Sequence, residues 1–174
     1  MDNPRCFDYD EDLHAFAVGC IRNEPGRVGE QGASSSSLKL LDDKTFDCMF
    51  FLPHWSPRSA YNSLSCIVLC QFTCQNDEEV TAVQMIPSPE GDTTICIGTV
   101  FHKFGEKEPS QGRLLLFKAE LDTKLSSTKP QLKQLSELDV MGCVYALARV
   151  NGLLAAAIGP SVSYKIPASF MALH

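Results

Sequence analysis

No stretch of the chain approaches the ~18 consecutive apolar residues needed to cross a bilayer. The most lipid-like run, Gly152 to Gly159, is far too short, so a spanning helix is excluded and no membrane partner is expected. The opening residues, Met1-Asp2-Asn3-Pro4-Arg5, lack the charged-then-apolar layout of a secretion signal. Positive charge is also scarce: 15 Lys and Arg face 21 Asp and Glu, a net charge of -6. A protein that binds nucleic acid unaided carries a basic footprint, and this one does not. Catalytic signatures are missing as well. There is no Gly-x-Ser-x-Gly elbow, no HExxH and no Gly-rich phosphate loop. His14, His54, His102 and His174 stand isolated from one another. No enzyme and no cofactor is expected.

What is present is a chain of 174 residues, 44% apolar and 21% charged, near globular averages and the size of one ordinary domain. Its 8 cysteines fall short of a disulfide scaffold. Without a secretion signal they point to a reducing compartment, where most act as small buried hydrophobes.

The periodicity is that of strands. His14 to Ile21 is a short apolar run, and Asn23 to Ser37, rich in Gly, Ser and charge, reads as a mobile loop. Leu38 to Leu41 opens a second strand, and Thr45 to Leu52 reads as its hairpin partner across Asp42-Asp43-Lys44. A second series comprises Val80 to Ile86, Thr94 to Phe101, Arg113 to Glu120 and Leu132 to Val140. Within it, Ile95-Cys96-Ile97 and Leu114-Leu115-Leu116-Phe117 are continuous apolar runs, suited to central strands covered on both faces. A third series is Gly142 to Val150, Leu153 to Ile158 and Ser161 to Ile166. Asn151-Gly152 is its strongest hairpin signal, because both residues tolerate positive φ. The only helix-like stretch, Leu121 to Leu138, is interrupted by Ser126-Ser127-Thr128-Lys129-Pro130.

The fold class is therefore all-β. Four-stranded antiparallel meanders are the blades of a β-propeller, and the strand groups predict a partial β-propeller. One complete four-stranded blade is flanked by two incomplete ones. Residues 1–52 form an incomplete blade with a Ser/Gly-rich loop at 23–37, and 53–71 a probable insertion. Residues 72–140 form the complete blade, and 141–174 an incomplete blade with a divergent tail. A self-contained β-sandwich binding module is the competing architecture.

Three segments carry a resemblance: Gln75 to Phe101, Glu106 to Leu121 and Met141 to Val162. Within them Ile97-Gly98-Thr99 leads through an acidic, Pro-containing loop to Gln111-Gly112-Arg113; Gly142 to Tyr145 and Asn151 to Ala155 follow in order. A weaker match covers Pro4 to Phe50. In this order and spacing the chain resembles the family of three-propeller scaffolds. That family contains the large subunit of the UV-damaged DNA-binding protein, the large cleavage-and-polyadenylation specificity subunit and a splicing factor 3b subunit. The first is the nearest in pattern, and the matched region resembles the start of its third propeller. His54 to Gln71 and the tail from Ser163 to His174 depart from the family pattern, and are expected to be read-through of unspliced intron.

The resemblance implies a fragment of a non-catalytic nuclear scaffold acting in DNA repair and cullin-RING ubiquitin ligation. Its implied partners are proteins, the substrate receptors of a ubiquitin ligase, with nucleic acid met only through the full-length complex. A scaffold in mRNA 3′-end processing or splicing is the alternative within the family. Ser161, Val162 and Tyr164 fall nearest the family's partner cleft, although Lys165 replaces an expected acid.

Other candidates have plainer readings. Cys66, Cys70 and Cys74 near His54 are spaced by three residues rather than in the tight knuckle zinc prefers; as strand residues they would share one face, and no metal site is expected. Arg113 reads as a charge at a strand start after a turn glycine. Lys118, Lys124, Lys129 and Lys133, interleaved with Glu120, Asp122 and Glu137, read as a solvated edge. No aromatic-basic stacking platform accompanies them.

Overall fold

A computed structural model describes residues 2–24, 33–43, 68–87, 93–121, 130–150, 153–159 and 162–167. The strands are β1 (Asn3–Asp10), β2 (Ala15–Glu24), β3 (Ala33–Asp42), β4 (Val68–Thr73), β5 (Glu78–Pro87), β6 (Thr93–Phe101), β7 (Gly112–Leu121), β8 (Pro130–Val140), β9 (Val144–Val150), β10 (Leu153–Ile158) and β11 (Val162–Pro167). They form three antiparallel meanders, β1-β2-β3-β4, β5-β6-β7-β8 and β11-β10-β9, called here sheets A, B and C.

The sheets stack in series with B in the middle. One face of B packs Val83, Met85, Ile95, Ile97, Leu115 and Phe117 against Ala15, Ala17, Leu38 and Leu40 of A. Its other face packs Ala82, Cys96, Leu114 and Leu116 against Val144, Leu154, Ala156 and Ile158 of C. The continuous apolar runs of β6 and β7 follow from this: alternate side chains point to opposite faces, and both faces are covered. A two-layer sandwich has no such middle sheet, so that alternative is set aside. The first strands lie side by side, β1 against β5 and β5 against β9, as the inner strands of successive blades do. The chain is all-β, in the arrangement of a partial propeller.

The structure differs from the sequence reading at the front. Sheet A has four strands, and its first, β1, lies before any strand expected there. β3 pairs with β4, Leu38 opposite Phe72 and Leu40 opposite Cys70. Val68 to Gln71, placed in the insertion, therefore belong to the sheet. Thr45 to Leu52, the expected hairpin partner, lies outside the described residues. The loop expected over 23–37 is shorter at both ends: β2 continues to Glu24, and Ser34 to Ser37 pair with Cys20 to Asn23. Farther on, Val150 pairs with Leu153, bracketing Asn151-Gly152 as expected.

A repeat unites the three sheets. The register between first and second strands slips once in each, at Pro4/Cys6, at Val80/Ala82 and at Ala157/Ile158. Arg5, Thr81 and Tyr145 are the extra residues of these bulges. Just beyond the bulge the second strand carries Gly19 in A and Gly98 in B. A Cβ added at Gly19 would lie 2.8 Å from Cγ1 of Val80, and one at Gly98 would lie 2.3 Å from Cγ1 of Val144. Each glycine is thus the slot that seats a valine from the first strand of the next sheet.

Candidate functional site

Gly112 brings two strand ends together. A Cβ there would lie 2.3 Å from the Thr99 carbonyl oxygen and 2.6 Å from that of Gly142, so only glycine admits this backbone approach. It delivers Arg113 into the interior. The Arg113 side chain is 7% exposed and that of Glu78 is 0% exposed. Arg113 Nη2 donates to Glu78 Oε2 at 2.6 Å and Nε to Oε1 at 3.0 Å, a bidentate pair with its added directionality. Thr99 Oγ1 donates to Glu78 Oε1 at 2.7 Å and accepts from the Arg113 amide at 3.1 Å. On its outer side Arg113 Nη1 donates to Glu137 Oε1 at 2.9 Å, and its guanidinium lies 5.5 Å from the centre of the Phe101 ring.

Hydrogen bonds donated to Glu78 above all, and then to Glu137, stabilise the Arg113 cation and push its pKa up. The same hydrogen bond from Arg113 lowers the Glu137 carboxyl below its ordinary value. Arg113, the charge expected at a strand start, does open β7, and there it is a buried clamp across β5, β7 and β8. Glu137 belongs to this clamp and not to a purely solvated edge.

Above the clamp opens a cleft of about 960 Å³, lined from the β4–β5 turn (Gln75, Asn76, Asp77), the β6–β7 loop and the end of β8. Phe104 and Met141 stand at its rim, 99% and 92% exposed. Asp77 and Asp139, also lining it, have no side-chain partner among the described residues. A smaller cleft of about 400 Å³ gathers the bulge residues Arg5, Thr81 and Tyr145 with Glu79 and His102. There Glu79 receives Arg5 Nε at 3.1 Å and faces His102 Nε2 at 2.9 Å. These surfaces offer shape, exposed apolar contacts and fixed charge, the means of recognition.

The sequence-selected residues fare differently. Val162 pairs with Ile158 and Tyr164 with Ala156 on β11, at the end of sheet C, while Ser161 lies outside the described residues. Among the described residues the large cleft is lined from 75–77, 101–104, 110–113, 137 and 139–141. Among the cysteines weighed for metal, Cys70 is in β4 and Cys74 follows it, whereas Cys66 and His54 lie outside the described residues. Burial pushes the thiols up, Cys70 to about 11 and Cys74 to about 12, so both are neutral. Phe104 and Met141 were missed. The available signal was a large apolar residue isolated among loop residues, beside Gly105 and Gly142 respectively.

The serial sheets, with their shared bulge and glycine slot, define a β-propeller-type module. The family model for the CPSF A subunit region matches residues 60–164, and the chain belongs to this family. The match begins inside the segment read as an insertion. DNA damage-binding protein 1b of Arabidopsis thaliana is 29% identical over 165 residues, 94% of this chain and 12% of that protein. DNA damage-binding protein 1a of the same plant is 32% identical over 143 residues, 79% of this chain and 11% of the relative. DNA damage-binding protein 1 of Solanum lycopersicum is 27% identical over 165 residues, 94% and 12% respectively. The chain thus spans about one eighth of the length of the relatives it matches.

Proposed function

We propose that this chain is part of a non-catalytic nuclear scaffold that recruits partner proteins in DNA repair and cullin-RING ubiquitin ligation. The observation that carries the proposal is its alignment with proteins named for binding damaged DNA, over 94% of its own length. The geometry supports it: buried charge is spent on clamping strands, and exposed apolar side chains crown a loop-lined cleft. The net charge of -6 fits a role in which nucleic acid is met only through a larger complex. Ser161, Val162 and Tyr164 remain proposed partner contacts, and Phe104 and Met141 join them. The division into blades at residues 1–52, 72–140 and 141–174 is proposed with its first boundary moved, so that the first blade runs through Thr73.

The family name itself favours a second reading, a scaffold in mRNA 3′-end processing. One experiment separates the two. The tagged chain is recovered from nuclei before and after ultraviolet irradiation, and its co-purifying proteins are identified. Cullin and ligase receptors are expected, reduced by Phe104→Ser with Met141→Ser. Recovery of polyadenylation subunits instead would support the second reading, and recovery of neither would sink both.

A further inference from the structure

The loop between β6 and β7 carries Phe104 at the rim of the large cleft. Its base is fastened: the Phe101 amide donates to the Gln111 carbonyl at 2.9 Å, and the His102 amide to that of Asp77 at 2.8 Å. Its tip is a turn. The Glu106 amide donates to the Lys103 carbonyl at 3.3 Å, with Gly105 at a φ of +87°. Phe104 and Gly105 are the two central residues of that turn, so the turn sets how Phe104 is offered. A Cβ added at Gly105 would meet nothing within 4 Å; the tip stands in open space.

Among the described residues, the hydrogen bonds that tie this tip to the returning arm run between Glu106 and Ser110. The Ser110 amide donates to Glu106 Oε2 at 3.2 Å. The Ser110 hydroxyl donates to Oε1 at 2.9 Å and to Oε2 at 3.1 Å. Two of the three bonds therefore depend on one hydroxyl proton. The sequence adds an address: Ser110-Gln111 is the only Ser-Gln or Thr-Gln pair in the chain. Both residues are exposed. Serine followed by glutamine is the pair that glutamine-directed serine kinases select, and a surface loop is where such an enzyme gains access.

We propose that Ser110 is a phosphorylation site for a glutamine-directed serine kinase, and that its phosphate releases the loop tip bearing Phe104 from Glu106. The γ-phosphoryl group of a nucleoside triphosphate passes to Ser110 Oγ as its bond to the departing nucleoside diphosphate breaks, and the hydroxyl proton goes to the base of the kinase. A group of about −1.5 to −2 charges then faces the Glu106 carboxylate where the proton had been, and like charges repel. Ser110 lines the large cleft with Asp77 and Asp139, so the phosphate also makes that cleft more acidic. The switch acts on the loop itself, whatever partner the cleft receives.

The test uses the full 174-residue chain, a purified glutamine-directed serine kinase and ATP, with a peptide of residues Lys103 to Arg113 as the positive control. Mass spectrometry is expected to place phosphate on Ser110 of the folded chain, and Ser110→Ala to abolish it. A kinase that modifies the peptide and leaves the folded chain untouched overturns the proposal. Trypsin cutting after Lys103 then reads the loop. Cleavage tracks the open population, and phosphorylation should raise it by roughly tenfold. The thermal transition should stay in place, because the loop lies outside the strands. Glu106→Gln removes the facing charge, so phosphorylation of that variant should raise cleavage far less. Unchanged cleavage in the parent chain, or an equal rise in Glu106→Gln, overturns the switch.

Discussion

Asp8 and Asp10 show how a few side chains set the limits of reading this chain. Both lie on the inward side of β1, where an apolar alternation would be sought. Asp8 Oδ2 accepts the Met85 amide at 2.6 Å and the Gln84 side chain at 2.7 Å, and Asp10 Oδ2 accepts Thr93 Oγ1 at 3.0 Å. The strand is held to sheet B by carboxylates, so its hydrophobic pattern is inverted and periodicity misses it. Ser36 misleads in the same way. It sits in a serine run that reads as loop, yet it is 2% exposed. Its hydroxyl donates to the Cys20 carbonyl at 2.9 Å and accepts the Val80 amide at 3.0 Å. Ser36→Ala leaves that buried amide without a partner and should cost about 1–3 kcal/mol, read from the urea midpoint.

The clamp gives a second expectation at this scale. Glu78→Ala leaves the buried Arg113 cation with half-exposed Glu137 as its remaining carboxylate and should destabilise by about 3–5 kcal/mol, the usual cost of halving a buried pair. Glu137 has its pKa lowered by Arg113. Its stabilising contribution is therefore complete above the ordinary carboxylate range and disappears as pH falls through the depressed value. The side chain is 43% exposed, so the effect is small. Urea midpoints measured down an acid series should converge for the parent and Glu137→Gln; a gap that persists at the lowest pH would contradict this account.

At the scale of elements, the legible parts were those where burial alone decides sequence. The runs through β6 and β7 announce a sheet covered on both faces, and Asn151-Gly152 announces the β9–β10 hairpin. The glycine slots were not legible as such. Gly98 was read as part of a family motif, but its physical reason is Val144, which no local pattern connects to it. Neither Gly19 nor Gly98 has a positive φ, so space, not backbone freedom, demands glycine. Gly98→Ala should therefore overpack the B–C interface by about 1–3 kcal/mol. Adding Val144→Ala should restore part of that loss, a coupling that a double-mutant cycle measures. Purely additive losses would show that the slot is not what constrains the residue.

For the whole molecule, the two interfaces are unequal. The A–B core takes in Phe117, Met85, Ile95, Ile97, Leu38 and Leu40, with the Phe72 ring tilted against that of Phe117, centroids 4.6 Å apart. The B–C core relies on Val144, Leu154, Ala156 and Ile158 from a three-stranded sheet. Sheet C therefore has less holding it in place and should open at lower free energy. The cysteines report on this directly. Cys96 is 0% exposed at the B–C interface, and burial pushes its thiol up to about 12. Cys74 is 9% exposed in the A–B core, its thiol likewise pushed up to about 12, mainly by burial. Both thiols are protonated at neutral pH and react only when their surroundings open. Labelling under rising urea should modify Cys96 before Cys74, because detaching sheet C uncovers the outer face of B while the A–B core persists. Simultaneous labelling would mean that the three sheets unfold as one unit, and that the smaller core is strong enough to hold sheet C to the end.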